Sequence, residues 1–258
     1  IALDVGKEYL LETRLGPILS RLGCKSYLEL LQKAKADYKK ELENEIIDAI
    51  STNETYFFRD KSPFQLLQHK IFPDLIDKRA KKNKGLKPAI RLWSAANSTG
   101  QEIYSIAMTL IEMGVTPKNY NIKLYGTDLS DAAIAQASYG LYNKFDVARG
   151  LDPVRLNKYF EAHEDRYKIK DELRAMVQFK KMNLMKPFMG MGKFDIILCR
   201  NVMIYFTTQD RRKISQNISS VLEPDGYLLI GSTESLVNDT DLYVSNKYLN
   251  SVFYQFKP

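Results

Sequence analysis

Phe194-Asp195-Ile196-Ile197-Leu198-Cys199-Arg200-Asn201-Val202-Met203-Ile204-Tyr205-Phe206 is an apolar run of strand type that ends in an arginine and an asparagine. After three apolar residues it passes into an aromatic pair. A buried strand that delivers polar groups at its C-terminal edge is where open α/β sheets place their ligands. Upstream, Ile90 to Ala95 reads as a first strand, Glu102 to Met113 as a helix, Ile122 to Asp128 as a second strand and Ser130 to Ser138 as a helix N-capped by Ser130. Val177 to Met182 reads as a third strand and Phe194 to Cys199 as the fourth. Downstream, Asp210 to Leu222 reads as a helix that Glu223-Pro224-Asp225-Gly226 ends, and Gly226 to Gly231 as a fifth strand. Strands alternating with helices predict an α/β fold built on a doubly wound, mainly parallel sheet. The stretch 139–174, rich in tyrosine and charge, breaks this alternation and is expected to be an inserted β-subdomain of short helix and strands.

The chain before residue 89 reads differently. Tyr9-Leu10-Leu11, Leu15, Ile18-Leu19 and Leu22 recur at helical spacing, with Pro17 expected to kink or break the helix and Gly23 to close it. Ser26 and Glu29 are spaced as a capping box, and Leu42, Ile46-Ile47 and Ile50 form a third helical stripe. Ser51 to Asp60 then interrupts the helices with a polar segment holding three aromatics and Arg59. Lys78 to Gly85 reads as a solvated charge run. The expected division is a small N-terminal helical domain over 1–75, a basic linker over 76–88 and an α/β domain over 89–258.

Composition narrows the function. A chain of 258 residues, 45% hydrophobic with mixed charge, is ordinary for a globular protein. No apolar run is long enough to span a bilayer, and Ile1-Ala2-Leu3-Asp4 shows no secretory leader, so a cytoplasmic location without membrane insertion is expected. Cys24 and Cys199 offer no disulfide framework, and with His69 and His163 they give no metal spacing, so no metal is expected. The net charge of +7 suits an acidic partner without naming it.

Ser94-Ala95-Ala96-Asn97-Ser98-Thr99-Gly100-Gln101-Glu102 joins the first strand to a helix, and its small residues let a ligand approach the backbone. Only Gly100 is glycine, so this is no dinucleotide fingerprint, and on spacing alone it reads as an ordinary strand-to-helix turn. Asp128, ending the second strand, fits either a turn-forming carboxylate or an acceptor for both ribose hydroxyls of an adenosine cofactor.

Taken together, these pieces resemble one family. Phe194 to Phe206 is similar to the "FD-CRNV-IYF" signature of the chemotaxis receptor glutamate O-methyltransferases, the CheR type. Trp93 to Ser105 resembles that family's "WSA-STGEE-YS" segment, Gly126-Thr127-Asp128 its acidic second-strand motif, and Met182-Asn183-Leu184 its "NL" segment. Asn53, Thr55, Phe57-Phe58 and Arg59 resemble its "N-T-FFR" segment, and Gly6-Lys7 to Gly23 its basic helical region. The resemblance runs in order over essentially the whole chain. It implies a class I methyltransferase domain that uses S-adenosylmethionine (SAM), releases S-adenosylhomocysteine (SAH) and forms glutamate methyl esters on chemoreceptors.

By the same resemblance, Asn53, Thr55, Arg59, Ala95, Glu102, Asp128, Asn183, Leu184, Cys199 and Arg200 would hold the cofactor, and Arg59 and Tyr205, with Arg200 close by, would face the methyl site. The implied partners are the cytoplasmic methylation helices of receptors, met by a monomer. Arg14, Arg21, Lys25, Lys33, Lys35, Lys39 and Lys40 would steer these acidic helices. Three positions depart from the pattern. Asn97 stands where a small residue or Cys is usual, and Gln101 replaces the first of two glutamates. Phe160 to Lys168 lacks the glycines of members that dock a receptor-tail pentapeptide, so such docking is not expected. Two rival functions remain at this stage: a nucleic-acid methyltransferase, which the charge allows although no N/D-P-P-Y motif is present, and a cofactor-binding regulator without turnover.

Overall fold

The computed structural model describes residues 8–82 and 86–257. The first residues, with Gly6-Lys7, and the end of the charge run, Lys84-Gly85, lie outside them.

Three helices come first: α1 (Tyr9–Arg21), α2 (Tyr27–Ala36) and α3 (Glu41–Ile50). They share a small core of Leu15, Ile18 and Leu30. Of the kink or break expected at Pro17, the break does not occur: α1 runs through it. A proline normally crowds the Cβ of the residue before it, and here that residue is Gly16, which has none. Burial of Leu15 and Ile18 on either side offsets the lost donor. Ser26 caps α2 by accepting from the Glu29 N–H at 3.2 Å. The Glu29 carboxylate, however, reaches back to the Lys25 N–H at 2.8 Å and so completes the box one residue early.

Helix α4 (Ser62–Leu66) runs through a π turn (Leu67–Ile71) into α5 (Phe72–Lys82). Residues 76–82, expected as linker, are therefore helix. Apolar residues at helical spacing seat this helix on the sheet: Leu67, Ile71, Phe72 and Leu75 are fully buried in the main core. Arg79, expected in solvent, donates from Nε to Asp195 at 2.8 Å and from Nη1 and Nη2 to Asp225 at 2.8 Å. Its position faces the sheet, and the charge run on the other side of the helix concealed that.

The α/β part comprises β1 (Ala89–Ala95), α6 (Gln101–Glu112), β2 (Asn121–Asp128), α7 (Asp131–Tyr139), β3 (Leu141–Tyr142), α8 (Lys144–Ala148), α9 (Pro153–Tyr159), β4 (Phe160–His163), β5 (Arg166–Ile169), α10 (Asp171–Arg174), β6 (Val177–Lys181), β7 (Phe194–Cys199), α11 (Thr208–Val221), β8 (Leu222–Ile230), β9 (Tyr243–Tyr248) and β10 (Ser251–Phe256). The large sheet has the order β6-β2-β1-β7-β8-β10-β9. β6, β2, β1, β7 and β8 are parallel, and β10 is antiparallel to β8 and to β9. This is the doubly wound, mainly parallel sheet expected from the alternation. β3, β5 and β4 form the separate small sheet of the insertion. β7 is buried at every residue, as a central parallel strand should be.

Two features were not read from the sequence. β8 begins at Leu222, through residues expected to be a turn, because a register irregularity lets Leu222 pair with Phe194 before the ladder resumes at Tyr227. The closing pair β9 and β10 followed a stretch without strong alternation. The strand order reverses between β1 and β7, which puts a ligand crevice at their carboxyl ends.

Candidate functional site

A cavity of about 390 Å³ opens at that switch point. Its floor is made of the turns that leave β1, β2 and β7. Its opposite wall is the segment 50–55 together with Leu10, Leu11 and Arg14 of α1. Of the residues singled out in the sequence, Asn53, Thr55, Arg59, Glu102, Asp128, Asn183, Leu184, Arg200 and Tyr205 all line it. Ala95 and Cys199 do not. They are packed in the core beneath the strand ends, and Ala96 and Arg200, one residue further on, line the cavity. Burial also pushes the Cys199 thiol well up, so it stays protonated and is no nucleophile.

The turn after β1 is tied down on β2. Asn97 donates its N–H to the Thr127 carbonyl at 2.8 Å, and Ser98 donates its N–H to Asp128 Oδ2 at 2.8 Å. Ala96 and Ser98 hold left-handed φ angles of 57° and 53°, a conformation such tethers can sustain. Gly100 sits at φ 98°, a conformation that strains any other residue, and a Cβ there would also crowd the Tyr142 hydroxyl and Ala137 at 3.0 Å.

Asp128 is buried, and its carboxylate accepts at Oδ2 from the Ser98 N–H and at Oδ1 from the Ser130 N–H at 3.0 Å. Burial pushes its carboxyl up, and the backbone donors of Ser130 and Ser98 pull it back. Each oxygen keeps a second lone pair for an outside donor. A buried carboxylate at a strand end with acceptor capacity to spare fits the vicinal hydroxyls of a ribose.

At the other end of the cavity, Arg200 lies with its side chain 1% exposed. It donates to Glu102 Oε2 at 2.7 Å, to Asp60 Oδ2 at 2.8 Å and to the Arg59 carbonyl at 3.3 Å. Ser94 Oγ adds a hydrogen bond to Glu102 Oε1 at 2.8 Å. The Arg200 fork is thus committed to two carboxylates of the protein, and it fixes the Arg59–Asp60 segment rather than standing ready for a substrate. Arg59 is differently placed. It donates one hydrogen bond, to the Glu54 carbonyl at 2.8 Å, lies 5.7 Å from the Tyr56 ring centroid and has no ion pair among the described residues. The Tyr205 hydroxyl likewise has no partner among the described residues.

Sequence reasoning missed two carboxylates that shape this end. Asp60 is next to Arg59, at φ 65°, and only the fold shows that it faces Arg200. Glu234 lies beyond the fifth strand, and its carboxylate accepts from the N–H groups of Gly231, Asn201 and Ile204. Among the described residues no His, Cys, Asp or Glu cluster could hold a metal, and no helix is long and apolar enough to cross a membrane.

A family model described as "CheR methyltransferase, SAM binding domain" matches residues 53–249. The chain belongs to the CheR methyltransferase family. Its curated relatives agree. The chemotaxis protein methyltransferase of Vibrio parahaemolyticus is 38% identical over all of this chain and 92% of its own length. The protein named chemotaxis protein methyltransferase Cher2 of Pseudomonas putida is 37% identical over all of this chain and 93% of its own. The chemotaxis protein methyltransferase of Borreliella burgdorferi is 36% identical over 94% of this chain and 85% of its own.

The cofactor of the CheR family is SAM, and the cavity has the donors and acceptors to hold it. If Asp128 takes the ribose, Asp128→Ala should weaken calorimetric SAH binding by about 1–3 kcal/mol, the cost of leaving hydroxyls unpaired. Unchanged affinity would remove Asp128 from the site.

Proposed function

We propose that this chain forms methyl esters on glutamate side chains of chemoreceptors. The observation that carries this reading is that the same cavity is lined by Arg59, a guanidinium with no ion pair among the described residues and one hydrogen bond, to the Glu54 carbonyl, and by the phenol Tyr205. Bound SAM supplies an electrophilic methyl group on a sulfonium. The protein's part is then to bring an acceptor up to it. A glutamate is already ionised at neutral pH, so no general base is needed, and positioning is the main demand. Arg59 can hold a carboxylate by a two-pronged contact, and Tyr205 can add one hydrogen bond. The buried cluster of Arg200, Glu102 and Asp60 carries one more negative than positive charge, which suits a cationic cofactor.

The relatives' names point to chemotaxis, and the partners proposed are the acidic methylation helices of receptors, met in the cytoplasm by a monomer. Part of the basic face of the first helices is already committed. Arg14 donates to the Ile50 carbonyl at 2.7 Å and to Thr52, Arg21 pairs with Glu45, and Lys33 donates to the Leu22 carbonyl at 2.9 Å. Lys25, Lys35 and Lys39 are left to steer. The hairpin between β4 and β5 turns at Glu164 with φ 55° and no glycine, in keeping with recognition that does not depend on a receptor-tail pentapeptide. The separate core of α1–α3 favours a domain boundary near Ser51, since 57–75 packs into the main core.

Tritiated SAM offered to receptor-bearing membranes, RNA and DNA separates the candidate functions. Label should enter the receptors alone and be released by mild alkali as a volatile product. Label in nucleic acid, or alkali-stable label, would contradict the proposal, and label in none of the three would favour a silent regulator.

A further inference from the structure

One carboxylate gathers three backbone donors beside the methyl site. Glu234 Oε2 accepts from the Gly231 N–H at 2.6 Å and the Asn201 N–H at 2.8 Å, and Oε1 accepts from the Ile204 N–H at 3.3 Å. The approach is close: a Cβ on Gly231 would stand 2.6 Å from Glu234 Oε2 and 3.0 Å from the Asn201 backbone nitrogen, so a side chain there would push the carboxylate off its donors. Two of these donors belong to the loop that follows β7. Asn201 sits at φ 57°, a strained angle that persists only where its surroundings hold it. Ile204 lies in the single 3₁₀ turn Met203–Tyr205, whose N-cap Val202 has no side-chain bond to give. The first N–H groups of a helical turn have no internal partners. Glu234 supplies one from the loop after β8, the strand that pairs directly with β7. The turn's last residue is Tyr205.

We propose that Glu234 is the positioning residue for Tyr205. It touches neither cofactor nor acceptor in this arrangement. It locks Asn201 and the 3₁₀ turn so that the phenol keeps one orientation at the methyl site. The inference rests on the proposed role of Tyr205, and the test keeps the two apart.

Steady-state kinetics, SAH calorimetry and amide hydrogen exchange are measured on the full chain with Glu234→Gln, Glu234→Asp, Tyr205→Phe and the double variant Glu234→Gln/Tyr205→Phe. Glu234→Gln keeps the size and turns an amide NH₂ toward backbone donors. It should lower kcat about 10-fold, the scale of a small misplacement at a reacting centre, with SAH affinity within about twofold of the parent. Exchange at Gly231, Asn201 and Ile204 should quicken while the strands stay protected. The double variant should be no slower than the slower single variant, since both changes remove the same phenol contact. A merely structural loss would instead multiply the two effects and weaken SAH binding in parallel. Such multiplicative effects, an unchanged kcat in Glu234→Gln or unchanged exchange at the three amides would overturn the proposal. If Tyr205→Phe slows turnover and Glu234→Gln does not, the proposal fails and the role of Tyr205 stands. If Tyr205→Phe is silent, both fall. Should Glu234→Gln not fold, Glu234→Asp, which keeps the charge but withdraws it by one methylene, must show the same pattern.

Discussion

Arg200→Ala should lose about 3 kcal/mol of folding stability and with it the geometry of the methyl site, because removing one member of a buried ion cluster leaves the others charged and unpaired. The Arg200 side chain is 1% exposed, and its partners Glu102 and Asp60 are 14% and 28% exposed, so water can compensate only Asp60 in part. The two carboxylates would also be left to repel each other across the vacated space. For a chain of this size the loss corresponds to a fall in Tm of roughly 6–12 °C. Arg200→Lys should not rescue it, since an ammonium cannot reach two carboxylates and the Arg59 carbonyl with a planar fork. SAH binding should weaken in the folded protein too, because Glu102 and Arg59 line the cavity. Thermal unfolding followed by calorimetry decides this. A variant with parental Tm would show that the cluster is not what holds the cavity wall.

Arg79→Ala should cost a similar amount, about 3 kcal/mol, at the end of β7 away from the cavity. The side chains of Arg79 and Asp195 are 12% and 8% exposed, and Asp195 Oδ2 also accepts from the Arg91 N–H at 2.8 Å, so Asp195 cannot swing out to water when its cation is lost. Here SAH affinity should be preserved at temperatures where the variant is folded. The hydrogen bond from Arg79 holds the Asp225 carboxyl below its usual range. An acid with a lowered folded pKa stabilises the fold above its unfolded value, near 3.9, and that contribution is lost as pH falls. The parent should therefore lose stability more steeply than Arg79→Ala on acidification below about pH 4. Parallel pH curves would show that Asp225 gains nothing from Arg79.

What the sequence made legible followed periodicity and punctuation. β7 was plain because a central parallel strand is apolar throughout, and Asp128 because it ends a strand before a capped helix. Arg200 was found for the same reason, but its partners were not. An arginine at a strand end looks alike whether it faces a substrate or two carboxylates of its own chain, and Asp60 stands 140 residues away. Arg79 was hidden by a lysine-rich surrounding, since a charge run has no mark for the one member that turns inward. The cap on the 3₁₀ turn was invisible because Glu234 acts on backbone N–H groups, which carry no sequence signal. β9 and β10 were missed because short alternation next to loops is weak evidence for strands.

The most direct measurement of the central claim is fragmentation mass spectrometry of a receptor signalling domain incubated with this protein and SAM. The account predicts a gain of one methylene on glutamate side chains of the receptor's helices, reversed by mild alkali and absent when Arg59 is replaced by alanine. A gain on lysine, arginine or a backbone terminus, or one that survives alkali, would contradict it.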